Sequence, residues 1–423
     1  MRFPLVLCSL FAMLAPLPAA QTGAPVAPSS SWPGFRGAGS GLTAASSLPV
    51  EWSEPAWIAS TPGYGQSAPI VWGDRVVVTS IDGPKKELAY VTCLRLSDGQ
   101  LLWSRSFRAS TLIENTEMVS RGAPTPALDA ERVYAFFESG DLLCLDHDGE
   151  LVWRADLFRR FGPFEGNHGV GSSPVLAGNT VLLLLDHAGP SHLLAFDAES
   201  GADRWIVERE PRISWSTPAL AASGSELIVS SNGFVEGYSV EDGRQLWVQD
   251  GIEGNTVPSP TVAGARVVVG QSKGSGLSLI ERGADGAKLV WSGDDLSPSG
   301  FGSPLLLDDS ILLVNRAGVL SSVDAADGAL RWESRLACGG IWASPVSDSK
   351  LVWFFGKDGI TSVVRWTADG PEEVAVNELE SEGGVHGVAA VEGAFVVREP
   401  GRVLCLRTPE PETQPEPETR EQE

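Results

Sequence analysis

Five histidines, two arginines in glycine-rich settings and an aromatic-arginine cluster are the side chains of this 423-residue chain best placed to do chemistry. His168, in NHGVGSSP, and His386, in VHGVAAV, hold equivalent places ahead of two repeated segments, so both rings are expected near one central funnel. Two imidazoles there could bind a metal or relay protons, or each could cap a backbone carbonyl in a tight loop. His147 falls in a turn expected to be solvated. His187 and His192 flank a hairpin with no third ligand in view. Arg36 sits in GFRG, and Arg121 precedes a repeated proline segment. An arginine among glycines can reach several carbonyls or a carboxylate, so Arg36 is expected to pin the N-terminal segment onto the fold, with ligand binding as the alternative.

The stretch FRRFGPF sets Phe158, Phe161 and Phe164 beside Arg159 and Arg160. That mixture is enriched at protein-binding hot spots, although the rings could equally pack down on a funnel rim. Arg36, Arg121, Phe158, Arg159, Arg160, Phe161, Phe164, His168 and His386 are therefore the candidate partner- or ligand-binding residues. No GxSxG elbow, P-loop or HExxH spacing occurs, so no catalytic residue is assigned, and no spacing suggests a metal site.

These side chains need a scaffold, and composition narrows its class. The formal charge is −23, with Lys+Arg 31 against Asp+Glu 54 and no dense basic cluster, which argues against nucleic acid and anionic lipid as partners. Residues 1–20 carry one early arginine, a short apolar run and small residues, the pattern of a Sec signal peptide. The run is too short to span a membrane, and Cys8 lies inside it rather than after it, where a lipid anchor would need it. A periplasmic or secreted location follows, with residues 21–31 as a flexible linker. Residues 408–423, TPEPETQPEPETREQE, have the composition of a disordered acidic tail.

Residues 32–407 are organised by a repeat of roughly 42 residues. A small-residue, Pro, apolar landmark recurs with its proline at 69, 126, 174, 218, 260, 304 and 345, and Gly387 takes the slot in a degenerate eighth copy. Two further apolar runs follow each landmark, then an Asp-Gly-type turn as in SDGQLLW or EDGRQLW, a strong hairpin signal, and a last run. One repeat is thus four antiparallel strands with a Trp on the outermost. Such a sheet cannot bury both faces alone, so copies must pack radially. The expected fold is all-β: an eight-bladed β-propeller of four-stranded antiparallel blades, most simply monomeric. Blade eight shows only three strands, and the segment around Trp57 (55–60) is expected to pair with 402–407 and close the ring.

The tryptophans at 103, 153, 205, 247, 291 and 332 are expected to fill the gaps between blades, and the seventh copy lacks one. Cys93, Cys144 and Cys405 share a slot with Ala195, Gly237 and Ser322, which marks a packing position rather than a disulfide or ligand. The landmark hydroxyls, such as Thr125, Ser173 and Thr217, are expected to ring the channel and face water or a small ligand.

The Pro-led first strand, the DG turn and the outer-strand Trp together resemble the quinoprotein-like (PQQ-type) propellers. The opening WPGFRGAGSGL, with NHGVGSSP and SWSTPAL, is similar to secreted bacterial PQQ-like repeat proteins of the BamB type. That resemblance implies a non-catalytic extracytoplasmic scaffold that binds an envelope protein or peptide. The alternative it leaves is a quinone- or metal-dependent oxidoreductase, or a small-ligand (saccharide) binder, using the central funnel. Quinone-dependent dehydrogenases of this class carry a vicinal Cys-Cys pair and carboxylate calcium ligands. No two cysteines here are adjacent, so no cofactor, PQQ included, is expected.

Overall fold

In a computed structural model, residues 31–409 are described apart from 117–119, 167, 273–275, 284, 294–295, 297–299 and 368. The expected leader at 1–20, the linker up to residue 30 and the tail from 410 lie outside the described residues.

Eight antiparallel sheets follow one another along the chain, seven of four strands and one of five. In blade one the order is Ile70–Trp72, Arg75–Asp82, Leu88–Arg95 and Leu101–Arg108, and the other blades repeat this meander. Each blade's second strand is buried almost throughout, whereas outer strands alternate, as in Leu101–Arg108. The alternation is what an edge strand with one packed face requires. Because consecutive strands reverse, the loops between blades and the turns between second and third strands share one face, called upper below. The DG turns lie on the opposite, lower face.

The outer-strand tryptophans lock each blade to the next. Trp103 donates its indole N–H to the His147 carbonyl at 2.9 Å, Trp153 to Ala198 at 3.0 Å, and Trp205 to Val240 at 2.9 Å. Trp57, Trp291 and Trp332 do the same toward Leu96, Ala325 and Thr367. Each acceptor belongs to the third-to-fourth-strand turn of the following blade. The turn glycine sits under the ring: a Cβ on Gly149 would stand 2.7 Å from Trp103, and one on Gly201 2.6 Å from Trp153. Both glycines also have φ near +70 to +81°, so contact and conformation demand the same residue. Trp247 departs from the pattern and bonds Glu226 of its own blade. In blade five the hairpin strands run on to Gly283 and Gly286, which replaces the wider turn whose carbonyl the other indoles reach.

The ring closes as the sequence predicts. Trp57–Ser60 pairs with Arg402–Leu406, with Trp57 opposite Cys405, as the fourth strand of blade eight. The four cysteines among the described residues are buried and free, and burial pushes the Cys93 and Cys144 thiols up to about 12.

The landmark hydroxyls ring the axis, with Thr125, Ser173, Thr217, Ser259 and Ser344 lining a funnel-shaped cavity there. Each accepts the backbone N–H of the preceding blade: Ala68 donates to Thr125, Thr125 to Ser173, Ser173 to Thr217, Thr217 to Ser259, Ser259 to Ser303 and Ser303 to Ser344, all at 2.9–3.1 Å. The polar ring expected around the axis is therefore also a belt that ties each inner strand to the next. Inner strands packed around an axis lie too far apart to bond one another through the backbone, and a short hydroxyl spans the gap. His147 is less solvated than expected, with its Nε2 2.9 Å from the Asp129 carbonyl.

The N-terminal segment fills the channel and then a seam. Ser31–Trp32 pairs with Val71 and Trp72 and gives blade one its fifth strand. The chain then crosses the axis, bringing Gly39 beside Ala219 and Leu42 beside Ser347. Beyond that, Trp52 is driven between blades seven and eight. Its ring stacks on Phe355 at 6.2 Å and meets Phe395 edge-on at 6.2 Å. Asn377 holds the segment from both sides, accepting from Trp52 N–H and donating to the Val50 carbonyl, each at 2.9 Å. The tryptophan missing from the seventh repeat is supplied from the other end of the chain.

Candidate functional site

A cavity of about 210 Å³ opens on the upper face along the propeller axis. Its floor is the N-terminal segment, through Trp32, Phe35 and Arg36; its wall includes Trp215, Phe301, Trp342 and His386. No carboxylate lines it, although the chain as a whole is acidic.

Arg36 is 4% exposed. Its NH2 nitrogen donates to the Ser40 carbonyl at 2.9 Å, to Thr261 Oγ1 at 2.9 Å and to the Pro304 carbonyl at 2.8 Å. The guanidinium therefore ties the N-terminal turn to blades five and six. No carboxylate pairs with it, and burial pulls its pKa down to about 9. A second arginine does the same work and went unnoticed in the sequence. Arg398 is fully buried, and its three nitrogens reach the Gly65, Thr79 and Pro400 carbonyls and Thr61 Oγ1. It fastens the chain leaving the closing strand to blades eight and one.

On the funnel wall, Trp342 stacks on His386 with centroids 4.8 Å apart and planes 18° from parallel. Tyr64 meets the other side of the imidazole at 6.3 Å, and the Arg121 guanidinium lies 3.7 Å over the Tyr64 ring. Gln66 holds Arg121 by a reciprocal pair, accepting its N–H at 3.0 Å and donating to its carbonyl at 3.1 Å. Here the hydroxyl belt is interrupted, since His386 and Ala68 occupy the slots that carry Ser or Thr elsewhere. Burial, with Arg398 and Arg121 nearby, drives His386 down to about 4. Its neutral form is therefore favoured by folding. Stability from this group is complete above pH 6.5, declines as pH falls toward 4, and the total loss is about 3 kcal/mol at 1.36 kcal/mol per unit. We expect His386→Leu to flatten the stability curve of the protein between pH 6.5 and 4 in urea titrations; an unchanged acid limb would refute the assignment.

His168 is exposed beside Trp215, 5.7 Å between centroids, while its carbonyl accepts the Ser120 N–H. The structure thus brings Arg36 and His386 to one cavity and places Arg121 one ring away from it. Among the described residues no three His, Cys, Asp or Glu side chains converge as a metal site.

The aromatic cluster lies elsewhere, over the seam of blades two and three. Leu157–Phe161 forms a short helix capped by Asp156, which accepts the Arg159 N–H. Phe158 and Phe164 pack at 4.4 Å, Phe164 against His187 at 5.4 Å and Phe161 against His192 at 4.3 Å. His187 Nδ1 accepts the N–H of both Glu165 and Gly189 at 3.0 Å, which buttons the loop to the hairpin below. Arg160 pairs with Asp203 and covers Phe161, leaving Arg159 exposed. The rings are packed inward, onto this seam rather than the funnel rim.

A quinone held by calcium does not fit these residues. The funnel lining offers no carboxylate ligand, and the described cysteines are four separate buried thiols.

The fold and the funnel define an eight-bladed propeller of PQQ-like repeats whose axis is stoppered by its own N-terminal segment. The sequence profile described as outer membrane protein assembly factor BamB matches residues 49–187 and 189–410. The chain belongs to that family. It is 29% identical over 223 residues to outer membrane protein assembly factor BamB of Burkholderia pseudomallei, covering 52% of this chain and 53% of that one. The chain spans about half the length of the first curated relatives it matches. The crystal structure of BamB from Moraxella catarrhalis superposes with a TM-score of 0.60 at 14% identity, covering 83% of this chain and 96% of that chain. A europium-containing methanol dehydrogenase superposes at 0.64 with 12% identity, covering 88% and 89%. Likeness at such identities establishes the shared fold and nothing about chemistry.

Proposed function

We propose that the protein is a non-catalytic scaffold of the bacterial envelope that binds a protein or peptide partner through the upper face of the ring. The observation that carries this is the stoppered axis: the chain's own N-terminal segment floors the funnel, and no carboxylate lines it. The family supports it, since its members are described as assembly factors for outer membrane proteins. The upper face carries the interblade loops, and Phe301 and Trp342 stand 49% and 37% exposed there on a rigid frame. Loops on such a frame commonly carry binding. Arg121, Arg159 and His168 belong to the same face.

Site-specific photocrosslinking in the envelope tests the reading. Positions Arg159, Phe301 and Trp342 on the upper face are expected to yield the same discrete crosslinked protein, and Asp148 and Asp327 on lower-face turns are not. Equal crosslinking from both faces, or none from the upper, sinks it. The oxidoreductase alternative has its own arm. Protein incubated with PQQ and Ca²⁺ is expected to show no alcohol-dependent dye reduction; turnover would overturn the non-catalytic reading.

A further inference from the structure

Two buried arginines hold the N-terminal segment, and they differ in one respect. All three nitrogens of Arg398 donate to protein oxygens. Arg36 is served unevenly: NH2 has three acceptors, NH1 only a long contact of 3.5 Å to the Pro260 carbonyl, and Nε none. Trp32 beside it is 2% exposed, and its indole N–H also lacks a partner. A guanidinium carries five N–H donors, so both side chains at this floor hold donors in reserve. The deficit is one of charge as well, because a buried cation is ordinarily paired. Both residues line the funnel, which opens to solvent past Trp342 and Phe301.

We propose that the funnel floor is a carboxylate site, formed by Arg36 and Trp32, for a carboxylate borne on a flat or apolar body that enters past the aromatic wall. The carboxylate would complete the guanidinium's donor set and neutralise its charge, and charge-assisted bonds of this kind are the strong ones. Trp342 and Trp215 offer flat faces to the body behind it. The site does not depend on the scaffold reading: a free aromatic acid and the C-terminal carboxylate of a peptide present the same group. The depressed pKa of Arg36 agrees, being the mark of a buried cation that lacks a counter-charge.

The full-length protein, labelled with ¹⁵N, is titrated with benzoate and with benzamide, and the tryptophan indole resonances are followed. Benzoate is expected to bind saturably, to shift the Trp32 resonance, and to bind about tenfold more tightly than benzamide, as charge-assisted bonding implies. Arg36→Gln should abolish that preference. Because this variant could loosen the segment, Trp32→Phe is the companion: it removes an N–H that has no partner, keeps an aromatic ring there, and should weaken benzoate several-fold while the protein still unfolds cooperatively at a somewhat lower melting temperature. An acetylated pentapeptide with a free C-terminus, compared with its amide, distinguishes the sources. Tighter binding of the free acid than of benzoate assigns the site to chain termini, and the reverse assigns it to small acids. No binding of either, equal binding of benzoate and benzamide, or benzoate affinity unchanged in both variants overturns the proposal.

Discussion

Trp52→Ala lowers the unfolding free energy by about 3–5 kcal/mol, the cost of removing a large buried aromatic. The ring is 6% exposed and sits between Phe355 of blade seven and Phe395 of blade eight. Apart from Trp247, the other outer tryptophans are held by a turn of the next blade; blade seven has no outer tryptophan, and Trp52 takes that place at the seam, where Trp353 also meets Phe395 at 5.3 Å. Trp332 is only half-buried, and its loss should cost markedly less. The urea midpoints of the two variants, with the slope checked for two-state behaviour, make the comparison. A loss below about 1 kcal/mol, typical of a surface substitution, would remove the wedge from the account.

The second large effect concerns a buried ion cluster between blades three and four. Arg209 donates from Nε to Asp186 at 3.0 Å, lies 2.8 Å from Glu236, and donates to the Tyr238 hydroxyl at 2.6 Å. Arg212 shares Glu236 at 2.8 Å, and Ser231 donates to Asp186. Burial works against the charge on Arg209, and Asp186 and Glu236 more than offset it, so its pKa is raised. Arg209→Met strands the Asp186 carboxylate, and breaking one side of a buried pair costs about 3–5 kcal/mol. Adding Asp186→Asn removes the stranded charge and should recover a substantial part. If the double variant is no more stable than the single, the loss is one of packing and the electrostatic explanation fails.

The scaffold was legible because the repeat states it eight times. The landmark proline, the DG turn and the outer tryptophan each follow from local backbone chemistry, and the borrowed closing strand followed from counting strands in the last repeat. What escaped notice came from outside the repeat. Trp52 lies in WSEPAW with no periodic neighbour, and only the vacancy in blade seven pointed to it. Arg398 stands in VVRE and reads as an ordinary exposed strand residue until the closing segment is laid over it. The site was legible in its parts but not in its assembly. Arg36 was marked as an anchor by its glycines, and His386 by its slot, yet their convergence on one funnel depends on a segment crossing the axis. Tyr64 and Trp342, which join Arg121 and His386 into one stack, carried no signal of spacing at all. The Phe158–Phe164 stretch shows the converse: composition left open a contact surface or packing on the funnel rim, and local geometry sets the rings over the seam of blades two and three.

The closing strand also dictates an order of events. Arg398 and Thr61 are bonded across 337 residues, and no nearer partner completes blade eight. Contacts that distant form late, because the intervening chain must be ordered before its ends meet. The strand Trp57–Ser60 thus leaves the ribosome early and is the last to be paired, and until then the outer edge of blade eight stands open. An unfinished ring of this kind stays incompletely folded for as long as synthesis lasts. For the ring, that delay is a built-in timer, and it stops when the final blade arrives.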